Sequence, residues 1–199
     1  FPQAISNHPQ QKEINLSIAL IQHQGYVQAL KRAGAKILSL SPEDTLPDST
    51  FVEDTAFIFG ETAFLCSQKE ETRRKEVGSV AKVLMEYRKT VTLEPYLDGG
   101  DILNTPESIF IGLSKRTDER AIKNLSEKID KNIVPVPVKK GLHLKSAVSY
   151  LGNNTLLINP ERIGADEFRN FQWIEVEEKD SYVANCLVLR NQVIMPSGF

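Results

Sequence analysis

The sequence predicts an α/β fold built from one repeated unit, a hairpin followed by a helix and a short strand, wound about a common axis. Three observations predict it. Four segments read as β-hairpins, each an apolar or alternating run, a polar turn and a second such run: FVEDTAFIFGETAFL, DGGDILNTPESIFIGL, KSAVSYLGNNTLLI and VANCLVLRNQVIM. A small or polar residue precedes each first run, at Asp54, Asp101, Ser146 and Asn185, and these anchors recur roughly every 39 to 47 residues, the span of propeller-like repeats. Between hairpins the apolar spacing changes to three and four, the mark of a helix.

Taken in chain order, Leu16, Leu20, Val27 and Leu30 mark a first helix, with AKILSL following as a strand. The first hairpin lies near 52–66 and turns near Gly60. Val77, Val80, Leu84 and Tyr87 share one face of a second helix, and TVTLE is its strand. The second hairpin, near 98–113, turns near Pro106; Ala121, Ile122, Leu125 and Ile129 then mark a third helix, with NIVPVPV after it. The third hairpin, near 145–158, turns near Gly152. PERIGADEFRNF is predicted as a shorter helix started by Pro160 and leading into QWIEV. The last hairpin, near 183–195, turns near Asn191. No such unit can bury its apolar face alone, so the units must pack on one another. The expectation is a single domain over residues 1–199 forming an open ring, short of one helix, one strand and one further hairpin. The first residue is Phe rather than Met, so the sequence is expected to begin inside the gene product.

Composition narrows the class. The 199 residues are 41% hydrophobic and 25% charged, ordinary globular material with a formal net charge of −2. That charge argues against a nucleic-acid-binding face, and no apolar run reaches membrane-span length, so neither partner is expected. Two cysteines, Cys66 and Cys186, are too few for a disulfide framework and lack metal-ligand spacing. A cytoplasmic setting follows as the expectation, in which the Asn-x-Ser/Thr triplets at Asn15, Asn124 and Asn153 carry no sugar.

The polar residues that could carry chemistry gather at the hairpin entrances. DSTFVED places Asp48, Glu53 and Asp54 within seven residues, and clustered carboxylates repel unless a cation sits among them. LDGGDIL brings Asp98 and Asp101 around two glycines, where the plain reading is a tight turn with positive φ. Arg73 and Arg74 open the second helix, the end where the dipole least favours a cation, which suggests service to an anion. Arg116 stands at a strand-to-helix junction. Of the three histidines, His8 is expected in solvent and His23 on the apolar stripe of the first helix. His143 occupies the junction that Asp98 and the Glu53–Asp54 pair occupy in their repeats, and in a ring such junctions converge. Acids pair with a planar guanidinium through its fixed fork of N–H donors, and a separate arginine pairs with an α-carboxylate. The set therefore suits an arginine-like amino acid held at both ends. It contains no nucleophile.

DSTFVED, LDGGDIL, GLSKRT, LHLKS and YVANC, in this order through nearly the whole chain, resemble the signature segments of the dimethylarginine dimethylaminohydrolase family of guanidine-modifying enzymes. The resemblance implies a five-bladed α/β propeller (pentein) of ββαβ modules. It implies that Asp48 and Asp54 grip the substituted guanidinium, with Glu53 contributing to the pocket. Arg73 and Arg116 would hold the α-carboxylate, His143 would be the general acid/base, and Asp98 would support it where the family often has a Glu. It further implies a methylated arginine as substrate, a covalent cysteine intermediate, release of dimethylamine and citrulline, and no metal or organic cofactor. Neither Cys66 nor Cys186 matches the family nucleophile, which follows a later Gly-rich segment. The nucleophile is therefore expected outside these residues, and the 199 residues alone are expected to be inactive. Arginine deiminase, amidinotransferase and a non-catalytic guanidine-binding ring protein stay open as alternatives, as does the oligomeric state.

Overall fold

The computed structural model describes residues 4–5 and 14–197 of the chain. Three modules share one sheet design. In the first, β1 (Ala56–Phe59) and β2 (Thr62–Leu65) pair antiparallel, and β3 (Lys89–Thr92) adds parallel to β2. In the second, β4 (Ile102–Asn104), β5 (Ser108–Leu113) and β6 (Asn132–Pro137) repeat the arrangement; in the third, β7 (Val148–Gly152), β8 (Thr155–Ile158) and β9 (Gln172–Glu175) do so again. A fourth hairpin pairs β10 (Leu187–Leu189) with β11 (Gln192–Ile194). The four strand pairs fall within the four segments read as hairpins.

Local chemistry explains these elements. A hairpin can close in two residues, but a parallel partner needs a crossover, and helices supply it: α2 (Val77–Leu84) leads to β3, and α3 (Glu119–Ser126) leads to β6. Asp118 caps α3 by accepting from the Arg120 amide at 2.8 Å. The β7–β8 turn uses Asn153 and Asn154, both at positive φ (47° and 56°), as the tightest hairpin turns require. Strands β2, β5 and β8 lie between two neighbours, so they read as apolar runs rather than alternations.

Two apolar clusters fill the space between modules. Phe64, Leu93, Leu97, Ile109, Ile111 and Leu125 belong to one; Phe110, Val136, Leu144, Leu156, Ile158 and Phe168 belong to the other. Each fully buried Leu, Ile or Phe contributes about 1.5–3 kcal/mol. Opposite faces of β5 therefore serve different clusters, which locks the second module between its neighbours.

Four expectations need correction. The first helix, α1 (Leu16–Arg32), forms and is capped by Asn15, yet none of its residues is buried, and Leu16, Leu20 and His23 lie in solvent. His23 is thus no core residue; His8 lies outside the described residues. AKILSL forms no strand, having no paired edge among the described residues. PERIGADEFRNF holds only a 3-10 turn, Ala165–Phe168. There the chain is pinned to β6: Gly164 N–H donates to the Pro137 carbonyl at 2.8 Å, and Ile163 bridges to Val138. Arg73 and Arg74 lie not in α2 but in the 3-10 turn Glu71–Glu76 before it. No helix among the described residues is long and apolar enough to cross a membrane.

Candidate active site

Each of the first three hairpins is entered through a short 3-10 turn: Val52–Thr55 before β1, Gly99–Asp101 before β4 and Leu144–Ser146 before β7. Asp54 lies in the first turn, Asp98 precedes the second and Asp101 ends it, and His143 precedes the third. Repetition of the module puts these turns side by side. Glycine lets them meet: a Cβ on Gly99 would collide with the Glu53 carbonyl, and one on Gly100 would lie 2.7 Å from Asp54 Oδ1 and 2.9 Å from the His143 ring. The two glycines serve close approach rather than the positive φ expected of them, which neither adopts.

His143 is 8% exposed. Its Nδ1 lies 3.3 Å from Asp101 Oδ2, while Nε2 lies 3.7 Å from Asp54 Oδ1 and 3.9 Å from Asp98 Oδ2 and makes no hydrogen bond. Asp98 is fully buried with neither oxygen hydrogen-bonded, and Arg116 Nη1 stands 3.7 Å away. Asp54 is held on both sides, accepting from Arg73 Nη1 at 3.0 Å and from the Gly100 amide at 3.1 Å. Arg73, itself buried, also donates from Nε and Nη2 to Glu76, the latter at 2.9 Å. Arg116 Nε lies 3.5 Å from Glu70.

Of the sequence-predicted residues, His143, Asp98, Asp54, Arg73 and Arg116 therefore come together. Asp48 and Glu53 do not join them. Asp48 is buried and accepts the Ile5 amide on both oxygens, at 3.1 and 3.0 Å. Glu53 points outward and takes Lys145 Nζ at 2.6 Å. The sequence reading missed Asp101 as the partner of Nδ1 and Glu76 as the partner of Arg73. The position of Asp101, immediately before β4 as Asp54 is two residues before β1, was the signal available.

The electrostatics follow from burial. Burial lifts Asp98 to about 7, with the charge of Asp54 adding to it and His143, Arg116 and Arg73 opposing. Burial works to lower His143, but the Asp101 bond and the charges of Asp54, Asp101 and Asp98 outweigh it and hold the imidazole above its ordinary value. Both groups thus gain protons on folding. Their stabilising contribution is complete below the unfolded values and is lost as pH rises through the folded ones. Ligand-free protein should therefore melt at a lower temperature at pH 8 than at pH 6, and Asp98→Asn should flatten that slope in a thermal denaturation series. A slope unchanged in the variant would remove Asp98 as its source.

The oxygens of Asp54 and Asp98 and a ring nitrogen of His143 lie within 4.8 Å of one another, a set able to surround a cation, whether a metal ion or a guanidinium. Two clefts of about 440 and 410 Å³ lie elsewhere, lined by residues such as Phe110 and Arg169, and Cys66 and Tyr96. Neither includes His143, Asp54 or Asp98, and the titratable chemistry belongs to the cluster. Cys66 is buried, and burial with the charges of Asp98 and Asp54 pushes its thiol far up. Burial raises Cys186 as well.

Comparison with known proteins fits this geometry. The sequence model of the family described as N,N dimethylarginine dimethylhydrolase, eukaryotic, matches residues 3–193. The N(G),N(G)-dimethylarginine dimethylaminohydrolase of Pseudomonas aeruginosa is 31% identical over 188 residues, covering 91% of this chain and 74% of that protein. The enzyme of the same name from Streptomyces coelicolor is 34% identical over 78% of this chain, which spans 62% of its length. The solved Pseudomonas aeruginosa structure of a cysteine-to-serine variant complexed with citrulline superposes with a TM-score of 0.87 at 32% identity, over 92% of this chain and 75% of that one. The N-terminal domain of the cyanobacterial arginine dihydrolase ArgZ, 18% identical, shares the fold with a TM-score of 0.84. The ββαβ modules are those of the pentein-type α/β fold.

Proposed function

The chain belongs to the dimethylarginine dimethylaminohydrolase family, and from that premise we propose that its buried cluster hydrolyses the guanidinium of methylated arginines to citrulline and a methylated amine. The observation that carries the reading is the Asp98 carboxylate, fully buried beside His143 Nε2 with neither oxygen hydrogen-bonded. Buried acceptors without donors are costly, and the N–H fork of a guanidinium would satisfy them. Asp54 supplies the second acid and keeps the substrate cationic. Arg116, whose Nη1 makes no hydrogen bond, takes the α-carboxylate. Arg73 has three of its five N–H groups engaged with Asp54 and Glu76, so it fixes Asp54 and keeps donors for the same carboxylate. We propose that Asp48 and Glu53 act on the substrate pocket indirectly, Asp48 through the Ile5 amide it holds and Glu53 through its ion pair with Lys145.

In the reaction a cysteine thiolate forms a C–S bond to the guanidinium carbon. The C–N bond to the dimethylated nitrogen breaks, and His143 delivers the proton that lets dimethylamine leave. Water then adds to the same carbon, giving its proton to His143, and the C–S bond breaks to return the thiol and release citrulline. The residues named need no metal or organic cofactor for these steps. We place the nucleophile outside these 199 residues, because a reactive thiol needs a lowered pKa and burial raises both cysteines present. Cys66→Ala in the full gene product should accordingly keep citrulline release; its loss would make Cys66 the nucleophile. We also propose a cytoplasmic setting, which the unpaired cysteines support, and closure of the modules as a five-bladed propeller, which the repeated ββαβ design supports.

The test is product identification. The full gene product incubated with asymmetric dimethylarginine should yield citrulline and dimethylamine in equal amounts. Release of ammonia from arginine at a greater rate would make it a deiminase instead, and absence of citrulline with every guanidine offered would leave a binding protein. Arg116→Ala should weaken binding of dimethylarginine far more than binding of a dimethylguanidine lacking the α-carboxylate, measured by calorimetry. Equal weakening of both would contradict the carboxylate assignment.

A further inference from the structure

We propose that Asp101 is a positioning residue for His143: it holds the imidazole in a single tautomer, proton on Nδ1, and ties that ring to the turn carrying Arg116. The inference rests on His143 being the acid/base of the reaction above. Asp101 is fully buried, accepts three hydrogen bonds and faces the ring of His143. Oδ1 accepts the Leu144 amide at 2.9 Å; Oδ2 accepts Ser114 Oγ at 2.5 Å and Thr117 Oγ1 at 2.7 Å, and stands 3.3 Å from His143 Nδ1. A carboxylate only accepts, and the two hydroxyls and the amide around Asp101 already donate to it. Nδ1 must therefore carry the hydrogen.

The consequence lies at the other nitrogen. With Nδ1 protonated, the neutral ring leaves Nε2 bare as a base, and the charged ring makes Nε2 a donor. Nε2 faces Asp54 and Asp98, the side where the guanidinium is placed. One tautomer thus serves both halves of the reaction without rotation of the ring. Asp98 lies on this reacting side, 3.9 Å from Nε2, and does not orient the imidazole by a hydrogen bond. The two acids of LDGGDIL divide the work: Asp98 faces the substrate and Asp101 holds the ring.

The carboxylate also anchors the turn that presents Arg116. Ser114 Oγ accepts the Arg116 amide at 3.0 Å while donating to Asp101. The main chain that presents Arg116 and the ring of His143 are thus fastened to the same oxygen. Strand β5 makes room for this: a Cβ on Gly112 would lie 2.5 Å from Asp101 Oδ1 and 2.8 Å from Leu144 Cβ.

The test uses the full gene product, ¹⁵N-labelled at histidine, with His143 assigned by the signal lost in His143→Asn. Above the pKa of the ring, Nδ1 should show the protonated shift and Nε2 the unprotonated one. In Asp101→Asn an amide N–H can face Nδ1, so the two shifts should exchange. With that exchange kcat should fall by about 100-fold, the low end of what acid–base catalysis supplies, while KM changes little. Retention of the tautomer with unchanged kcat would overturn the proposal. Where Asp101→Asn does not fold, Thr117→Val removes one donor and keeps the shape; it should move the Nδ1 shift and lower kcat, and unchanged signals would overturn the proposal. The shifts need no turnover. A protein that hydrolyses no guanidine but exchanges its His143 shifts in Asp101→Asn would refute the reaction and keep the positioning; unexchanged shifts in an active enzyme would do the reverse.

Discussion

Replacing His143 by alanine should abolish turnover of dimethylarginine by the full gene product, lowering kcat by roughly 100- to 10,000-fold, the range that general acid–base catalysis contributes. Two proton transfers depend on this ring, one to the departing amine and one from water, and the neighbouring acids cannot replace both. Asp54 is committed to Arg73 and the Gly100 amide, and Asp98 is placed to bind the cation. Affinity should survive, because His143 offers the substrate only Nε2 while Asp54, Asp98 and Arg116 supply the charges. A KM that rises with little change in kcat would show that the histidine binds rather than catalyses.

Arg73→Ala should have the largest effect on stability, a loss of roughly 3–5 kcal/mol, the usual consequence of removing one partner from a buried ion pair. Arg73, Asp54 and Glu76 are 3%, 7% and 2% exposed, so the two carboxylates left behind have no water to turn to. Burial already holds Glu76 above its ordinary value with Arg73 bonded to it, although the bond pulls the other way. Without the arginine Glu76 would be driven further towards protonation. Groups raised on folding contribute their stability at low pH and lose it as pH rises, so the deficit measured by denaturant unfolding should be smaller at pH 5 than at pH 8. An equal deficit at both would mean that lost packing, not orphaned charge, is the cause.

The parts of this fold legible in the sequence are those whose signal is local. A hairpin declares itself by two β-rich runs and a turn, and Gly60 or Asn153–Asn154 supply the positive φ their turns use. The convergence of Asp54, Asp98 and His143 was legible for another reason: repeats place equivalent residues at equivalent points, so the spacing of hairpin entrances implied a shared centre. What escaped depends on contacts between segments. Which acid of LDGGDIL would hold the imidazole turns on the 3-10 geometry of Gly99–Asp101 and on hydroxyls from Ser114 and Thr117, more than ten residues away. Arg73 looked like a helix-opening cation serving an anion; the anions it meets in the structure are Asp54 and, one turn on, Glu76. The stripe of α1 gave its helix but not its burial, since periodicity says which face is apolar and nothing about what covers it.

The most direct test is a crystal structure of the full gene product with asymmetric dimethylarginine bound. The guanidinium should lie among Asp54, Asp98 and His143, with its methylated nitrogen within hydrogen-bond reach of Nε2 and its α-carboxylate on Arg116. Dimethylarginine seated instead in the cleft beside Cys66 and Tyr96, or with its carboxylate towards Asp98, would contradict the assignment of this cluster as the guanidine site.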